Sequence, residues 1–123
     1  MPPKITVLIA DDHRLFAEAL EAILSAEPEI EVVGRARNGE EAVAQALELE
    51  PDVILMDIAM PVVDGVEATK RIRKEQAGAC VLMLTGSNSR TDVARAREAG
   101  AAGYVTKDRI AAQLIQAIRE LAA

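Results

Sequence analysis

Residues 53–57 read Val-Ile-Leu-Met-Asp, four consecutive apolar side chains followed by a carboxylate. A continuous apolar run of this length favours a strand that is buried on both faces, as in a parallel sheet. Similar apolar runs occur at residues 5–10 and 81–84. Residues 30–33 alternate with acids and suggest a strand nearer an edge, and residues 104–106 suggest a fifth, weak strand. The chain is therefore expected to contain five strands.

Apolar residues at helical spacing follow each predicted strand. These stripes lie within residues 15–24, 42–47, 66–73, 93–97 and 110–121, and the third and fourth stripes are the weakest. A strand followed by a helix, repeated five times, is typical of an α/β domain with a parallel sheet. We predict a doubly wound sheet of five parallel strands in the order 2-1-3-4-5, with five helices.

Size, charge and cysteine content limit the classes of protein that the chain can represent. Its 123 residues fit one domain, and we see no linker or repeat. A formal net charge of −6 argues against direct binding to nucleic acid or anionic lipid. No apolar run approaches the roughly 20 residues of a membrane span. The single Cys80 cannot form an internal disulfide, so we expect a cytoplasmic protein without a membrane partner.

Three carboxylates stand where predicted strands end. Asp11 and Asp12 follow the first strand, and Asp57 ends the third. In an open α/β sheet, ligands bind beyond the carboxyl ends of the strands at the point where the strand order reverses. That point lies between strands one and three, so the three acids should converge there. Their mutual repulsion favours a bound divalent cation, and Mg²⁺ suits a few carboxylates supplemented by water.

Two further strand ends carry polar groups. Thr85 ends the fourth strand with a hydroxyl, and Lys107 follows the fifth with a cation. A phosphoryl group on Asp57 would need hydrogen-bond donors and a counter-charge, which Thr85, Lys107 and the metal ion would supply.

Each of these residues also has a purely structural interpretation. An isolated acid pair can cap a helix, an isolated threonine can form a turn, and Lys107 alone would be a solvated lysine. Tyr104 alone would be a core residue with its hydroxyl at the surface. His13, the single histidine, is interpreted as an exposed loop residue, with a direct part in phosphoryl transfer as the minor alternative.

Four motifs in a fixed order distinguish between these interpretations. They are Asp11-Asp12-His13, Asp57-Ile58-Ala59-Met60-Pro61 with Asp64-Gly65, Leu84-Thr85-Gly86, and the segment 103–108, which reads Gly-Tyr-Val-Thr-Lys-Asp. Together they resemble the receiver domain of two-component response regulators, which has the CheY-like, flavodoxin-like fold. The resemblance extends from Lys4 to the end of the chain. The first and last motifs are most similar to the NarL/FixJ-type regulators, which carry a LuxR-type helix-turn-helix output domain.

The resemblance implies a role for each acid of the crevice. Asp57 would be the phosphoacceptor, with a histidine kinase as the phosphodonor. Asp12 and Asp57 would bind Mg²⁺ directly, Asp11 would bind it mostly through water, and the backbone carbonyl of Ala59 would be a further ligand. Residues 1–123 would form one receiver domain, and the output domain is expected to be absent from this chain.

The resemblance also implies a switch. Lys107 would contact the phosphate, and Thr85 and Tyr104 would form the switch pair. Together they would change the surface formed by the fourth helix, fifth strand and fifth helix. The expected function is phosphorylation-dependent control of transcription through the output domain, which alone would bind DNA, with a possible homodimer on activation. The chain would catalyse its own phosphorylation and slow dephosphorylation without being a turnover enzyme.

Some positions depart from the pattern of the family. Val62 stands where glycine often follows the Met-Pro pair, which affects the shape of that loop. Asp108 replaces the proline of many relatives, so we expect a trans peptide bond there and Asp108 as the N-cap of the last helix. Ala59 and Ser87 flank the site by the family pattern, and neither is a strong base toward an attacking water.

Three rival functions each conflict with a feature of the sequence. An aspartate-nucleophile phosphatase would need an acid two residues after Asp57, where this chain has Ala59. A flavin or dinucleotide protein would need a glycine-rich phosphate loop, and no G-x-G-x-x-G follows any predicted strand. A receiver-like scaffold that binds a partner without phosphorylation would not need the full set of acids with Thr85 and Lys107.

Overall fold

The computed structural model describes residues 3–86 and 90–123, and within these residues strands alternate with helices. The strands are β1 (Ile5–Ala10), β2 (Ile30–Ala36), β3 (Val53–Asp57), β4 (Val81–Thr85) and β5 (Gly103–Thr106). The helices are α1 (Arg14–Ser25), α2 (Gly39–Leu49), α3 (Gly65–Glu75), α4 (Arg90–Glu98) and α5 (Ile110–Ala122). A short 3-10 turn, Lys107–Arg109, precedes α5.

The strands form one parallel sheet in the order β2-β1-β3-β4-β5, which confirms the predicted topology. The strand order reverses between β1 and β3. β2 lies at an edge, as predicted, but continues three residues beyond the predicted end at Val33. Because an edge strand exposes part of its surface, its last residues include the polar Arg35 and give only a weak apolar signal.

Two apolar layers cover the two faces of the sheet. On one face, α1 and α5 pack Leu20, Leu24, Leu114 and Ile118 against the sheet. On the other face, α2, α3 and α4 pack smaller residues, among them Ala42, Ala46 and Ala96. β3 lies between both layers, and all five of its residues are buried. This explains why residues 53–57 form an unbroken apolar run up to the carboxylate.

Side chains fix the start of two helices. Asn38 accepts a hydrogen bond from the Glu41 backbone N–H at 2.8 Å, and Asp64 accepts one from the Glu67 backbone N–H at 2.8 Å. Such caps satisfy backbone donors that have no partner within the helix.

The predicted cap at Asp108 is wrong. The chain tightens into the 3-10 turn before α5, so Asp108 lies inside that turn, and the N-cap position falls on Arg109, which makes no side-chain capping bond. The trans peptide bond predicted there is confirmed, since the described residues contain no cis peptide bond.

None of the helices in the described part of the chain is both long enough and apolar enough to span a membrane.

Candidate functional site

The carboxyl ends of β1 and β3 bring the predicted acids together. Ala10 pairs with Met56 in the parallel register, so the residues that follow, Asp11 and Asp57, emerge side by side. The backbone N–H of Asp11 also donates to Ala36 O at 3.0 Å, which ties this edge to the end of β2. Carboxylate oxygens of Asp11, Asp12 and Asp57 lie with the His13 ring nitrogen in a group whose atoms are all within 4.8 Å of one another.

Asp57 is a buried carboxylate in an unfavourable electrostatic position. It is 3% exposed, and burial raises its pKa above the ordinary value of 3.8. The neighbouring charge of Asp11 raises the pKa further, while the charge of Lys107 partly opposes the increase. Its Oδ2 atom is buried and forms an ion pair with Lys107 Nζ at 3.3 Å. A carboxylate oxygen can accept from more than one partner, so a bound cation could join the lysine there.

Lys107 reaches into the crevice from the end of β5. Its Nζ atom lies 3.3 Å from Asp11 Oδ2 and 3.3 Å from Asp57 Oδ2. The same Nζ lies 4.4 Å from the centre of the Phe16 ring, which comes from the first turn of α1. The aromatic ring and the two carboxylates together hold the cation next to Asp57.

His13 also faces the acids, which the sequence interpretation missed. Its side chain is 63% exposed, yet Nδ1 lies 3.1 Å from Asp11 Oδ1, 3.4 Å from Asp12 Oδ1 and 3.7 Å from Asp57 Oδ2. The backbone N–H of His13 donates to Asp11 Oδ1 at 2.8 Å, which turns the residue toward the crevice. Its position directly after the acid pair was the signal that could have revealed it.

The predicted switch residues lie on one face of the sheet. Thr85 is buried at the end of β4 and pairs in register with Thr106, two residues after Tyr104. Because side chains alternate along a strand, Thr85 and Tyr104 both point to the face that carries α4. Tyr104 is 39% exposed and borders a 280 Å³ pocket that is also lined by Val93 and Ala96 of α4. The switching role of the pair stays a prediction.

The loop after β3 passes close to Asp57. The backbone N–H of Ala59 donates to the Asp57 carboxylate, which lowers the pKa of that group slightly. A Cβ atom on Gly65 would lie 2.1 Å from Asp57 O, so only glycine allows this approach. Val62 has φ +69° and is 75% exposed, a left-handed conformation that is costly for a β-branched residue. The role of the Ala59 carbonyl as a metal ligand stays a prediction, and Ser87 lies outside the described residues.

Known proteins resemble the chain over nearly its whole length. A family model for the response regulator receiver domain matches residues 7–119. Over 114 residues the chain is 44% identical to the transcriptional regulatory protein LnrK of Bacillus subtilis (strain 168), which covers 93% of this chain and 52% of LnrK. The chain therefore spans about half the length of the curated relatives it matches.

Solved structures give the same result for the fold. The signal receiver domain of the response regulator NarL from Mycobacterium tuberculosis superposes with a TM-score of 0.94, 32% identity and 98% coverage of both chains. A CheX–CheY–BeF3–Mg complex from Borrelia burgdorferi gives a TM-score of 0.91 and 25% identity, covering 98% of this chain and 91% of the other.

Proposed function

This chain belongs to the family of response regulator receiver domains, and on that premise we propose that Asp57 accepts a phosphoryl group from a phosphohistidine of a partner histidine kinase. One observation carries the proposal. The Asp57 carboxylate is buried at the end of β3, and the Lys107 ammonium lies 3.3 Å from its Oδ2 atom. A nucleophile in this position is shielded from water and is close to a group that can stabilise phosphate charge.

The proposed step is a displacement at phosphorus. An Asp57 carboxylate oxygen forms a bond to the phosphorus atom while the bond from phosphorus to the imidazole nitrogen of the donor breaks. The imidazole leaves with the electron pair of that bond and takes up a proton. Lys107 serves the reaction twice, because its charge favours the ionised form of Asp57 and then compensates the charge of the arriving phosphoryl group.

Receiver domains typically bind Mg²⁺ at an acidic pocket, and the acids of this chain fit such an ion. Asp11, Asp12 and Asp57 would hold it, with the carbonyl of Ala59 as a further ligand. When bound, the ion would neutralise negative charge on the carboxylates and on the phosphoryl oxygens. The CheY complex from Borrelia burgdorferi contains both BeF3 and Mg, which supports this assignment for the family.

Phosphorylation would switch the surface formed by α4, β5 and α5. The added phosphate brings negative charge and acceptor oxygens to a fixed point beside Lys107 and the end of β4. Thr85 would move toward these oxygens, and Tyr104 would enter the space that Thr85 leaves. Because Ala59 provides no base toward water, the phosphate should persist long enough to serve as a signal, so the chain is a switch rather than a turnover enzyme.

The relatives support a proposal for the output that this switch controls. LnrK is a transcriptional regulatory protein about twice as long as the matched region. We therefore propose that this receiver controls a DNA-binding output domain, which would lie outside the residues present here, and that activation favours a homodimer. A cytoplasmic location is part of the same proposal.

Mass spectrometry of the intact protein tests the acceptor directly. Incubation with acetyl phosphate and Mg²⁺ should add the mass of one phosphate to the natural protein and none to Asp57→Asn. Asp108→Asn is a matched control, because Asp108 is exposed and lies just after Lys107, and it should accept phosphate as the natural protein does. An adduct that persists in Asp57→Asn would refute the assignment.

A further inference from the structure

Thr106 carries a buried hydroxyl that no other group of the described chain satisfies. The residue ends β5 and is 6% exposed, and its Oγ1 atom has no hydrogen-bond partner among the described residues. Thr106 also occupies the N-cap position of the 3-10 turn, yet its side chain makes no capping bond. Threonine at the start of a helix commonly accepts a hydrogen bond from a backbone N–H. The hydroxyl therefore lacks both the local partner that its position offers and a more distant one.

This hydroxyl lies beside both residues of the proposed switch pair. Thr106 pairs in register with Thr85 across β4 and β5, and it follows Tyr104 by two residues along β5. Because side chains alternate along a strand, all three belong to the face of the sheet that carries α4. Tyr104 and Thr106 also border one pocket of 260 Å³, together with Arg109 and Gln113. The tyrosine and the buried threonine thus adjoin the same open space.

We propose that Thr106 is a third member of the switch, and that its hydroxyl bonds to the Tyr104 hydroxyl when Tyr104 turns inward. The space that Tyr104 enters is the one that Thr85 leaves, and Thr85 is the register partner of Thr106. The inward tyrosine therefore arrives next to the hydroxyl that lacks a partner. The inference rests on the proposed function, because it adds a residue to the same switch.

The unpaired hydroxyl favours switching through two contributions. A buried polar group without a partner destabilises the unphosphorylated arrangement that contains it. The hydrogen bond to Tyr104 stabilises the switched arrangement. Since phosphate shifts the equilibrium only by its differential affinity for the two arrangements, a smaller difference in their free energies lets the same phosphate populate the switched one more fully.

Thr106→Val separates this role from simple packing, because valine keeps the branched shape of threonine without the hydroxyl. The melting temperature of the unphosphorylated protein should rise by about 4 °C, since the unpaired group is gone. Beryllofluoride with Mg²⁺ serves as the probe and stands in for the phosphoryl group on Asp57. Its affinity should fall about three- to tenfold, since the switched arrangement loses a hydrogen bond. Thr106→Ser keeps the hydroxyl and should bind beryllofluoride as the natural protein does.

The chain offers a direct optical readout of this titration, because it has one tyrosine and no tryptophan. Tyrosine emission therefore reports Tyr104 alone, and the Thr106→Val curve should be displaced to higher beryllofluoride concentration. Calorimetry extends the test to Tyr104→Phe, which keeps the ring but lacks the hydroxyl. Tyr104→Phe should weaken beryllofluoride binding in the natural background and have little further effect in Thr106→Val, because the two hydroxyls form one bond.

Three results would overturn the inference. They are equal beryllofluoride affinity in Thr106→Val and the natural protein, an equal loss of affinity in Thr106→Ser and Thr106→Val, and fully additive losses in the double variant with Tyr104→Phe. Mass spectrometry with acetyl phosphate accompanies these measurements. A missing phosphate adduct in the natural protein would refute the proposed function and this inference with it, whereas a normal adduct with unchanged affinity in Thr106→Val would refute the inference alone.

Discussion

The helices α4 and α5 flank the same edge of the sheet on opposite faces, but they are attached to it very differently. α5 buries Ile110, Leu114 and Ile118, three large apolar side chains one helical turn apart. α4 buries only Ala96 among its described residues and is otherwise polar and charged. Because burial of apolar surface is the main stabilising contribution, α4 can be displaced at much lower cost than α5.

This difference indicates where a signal from Asp57 would appear. Phosphate can shift an equilibrium between two conformations only by its differential affinity for them, so the responding element must have a second arrangement at a small cost. α4 meets this condition, and the pocket between α4 and Tyr104 offers space for a rearrangement. We therefore expect α5 to stay in place on the sheet while α4 and β5 move.

The strongest test of the comparison is a matched pair of truncations. Leu114→Ala should lower the free energy of unfolding by about 2–5 kcal/mol, because Leu114 is fully buried under the sheet. Val93→Ala in α4 should cost about 1 kcal/mol or less, since Val93 is only half-buried. Urea denaturation of both variants measures the difference. Equal costs would show that α4 is as firmly attached as α5.

Removing the charge of Asp57 should stabilise the metal-free protein. The pKa of Asp57 is raised in the folded state, so the folded protein binds a proton more readily than the unfolded chain does. Ionisation of Asp57 therefore lowers stability as the pH rises through the raised pKa. Asp57→Asn keeps the shape without the charge, and a gain of about 1 kcal/mol would appear as a melting temperature about 4 °C higher at neutral pH.

The pH dependence distinguishes this explanation from a packing effect. Melting temperatures in a chelating buffer should converge below the ordinary Asp pKa of 3.8 and separate as the pH rises. Added Mg²⁺ should stabilise the natural protein more than Asp57→Asn, because the variant lacks one of the acids. A constant difference at every pH, or a less stable variant, would contradict the prediction.

A smaller effect is expected where α1 supports Lys107. The Phe16 ring lies 4.4 Å from Lys107 Nζ, and an attraction of this kind is worth about 0.5–1 kcal/mol at a partly exposed site. Phe16→Leu keeps an apolar side chain but removes the aromatic face, so phosphorylation by acetyl phosphate should slow about two- to fivefold. Leu15→Ala is the control, because Leu15 is 80% exposed and should leave the rate unchanged. An unchanged rate in Phe16→Leu would show that the Phe16 ring does not contribute to phosphorylation.

The contrast between repeated patterns and single contacts also explains what could be predicted from the sequence. Continuous apolar runs and helical stripes repeat over several residues, so the strand order, the layers and the meeting of Asp11 with Asp57 were predictable. The end of β2 was missed because its edge position admits Arg35. The prediction that Asp108 is the N-cap of α5 was wrong because a 3-10 turn precedes the helix and moves its start to Ile110. Phe16 lies against Lys107, which is distant in sequence, and no local pattern encodes that contact. His13 was missed although its place directly after the acid pair was a local signal.

The most direct test is hydrogen exchange with and without phosphate on Asp57, measured by mass spectrometry and with Asp57→Asn as the reference. We predict that phosphorylation changes exchange in residues 90–106, which cover α4 and β5, and leaves residues 114–122 of α5 and residues 14–25 of α1 unchanged. Changes confined to the loops beside Asp57 would contradict the proposed switch, and equal changes in α4 and α5 would contradict the expectation that α5 stays in place.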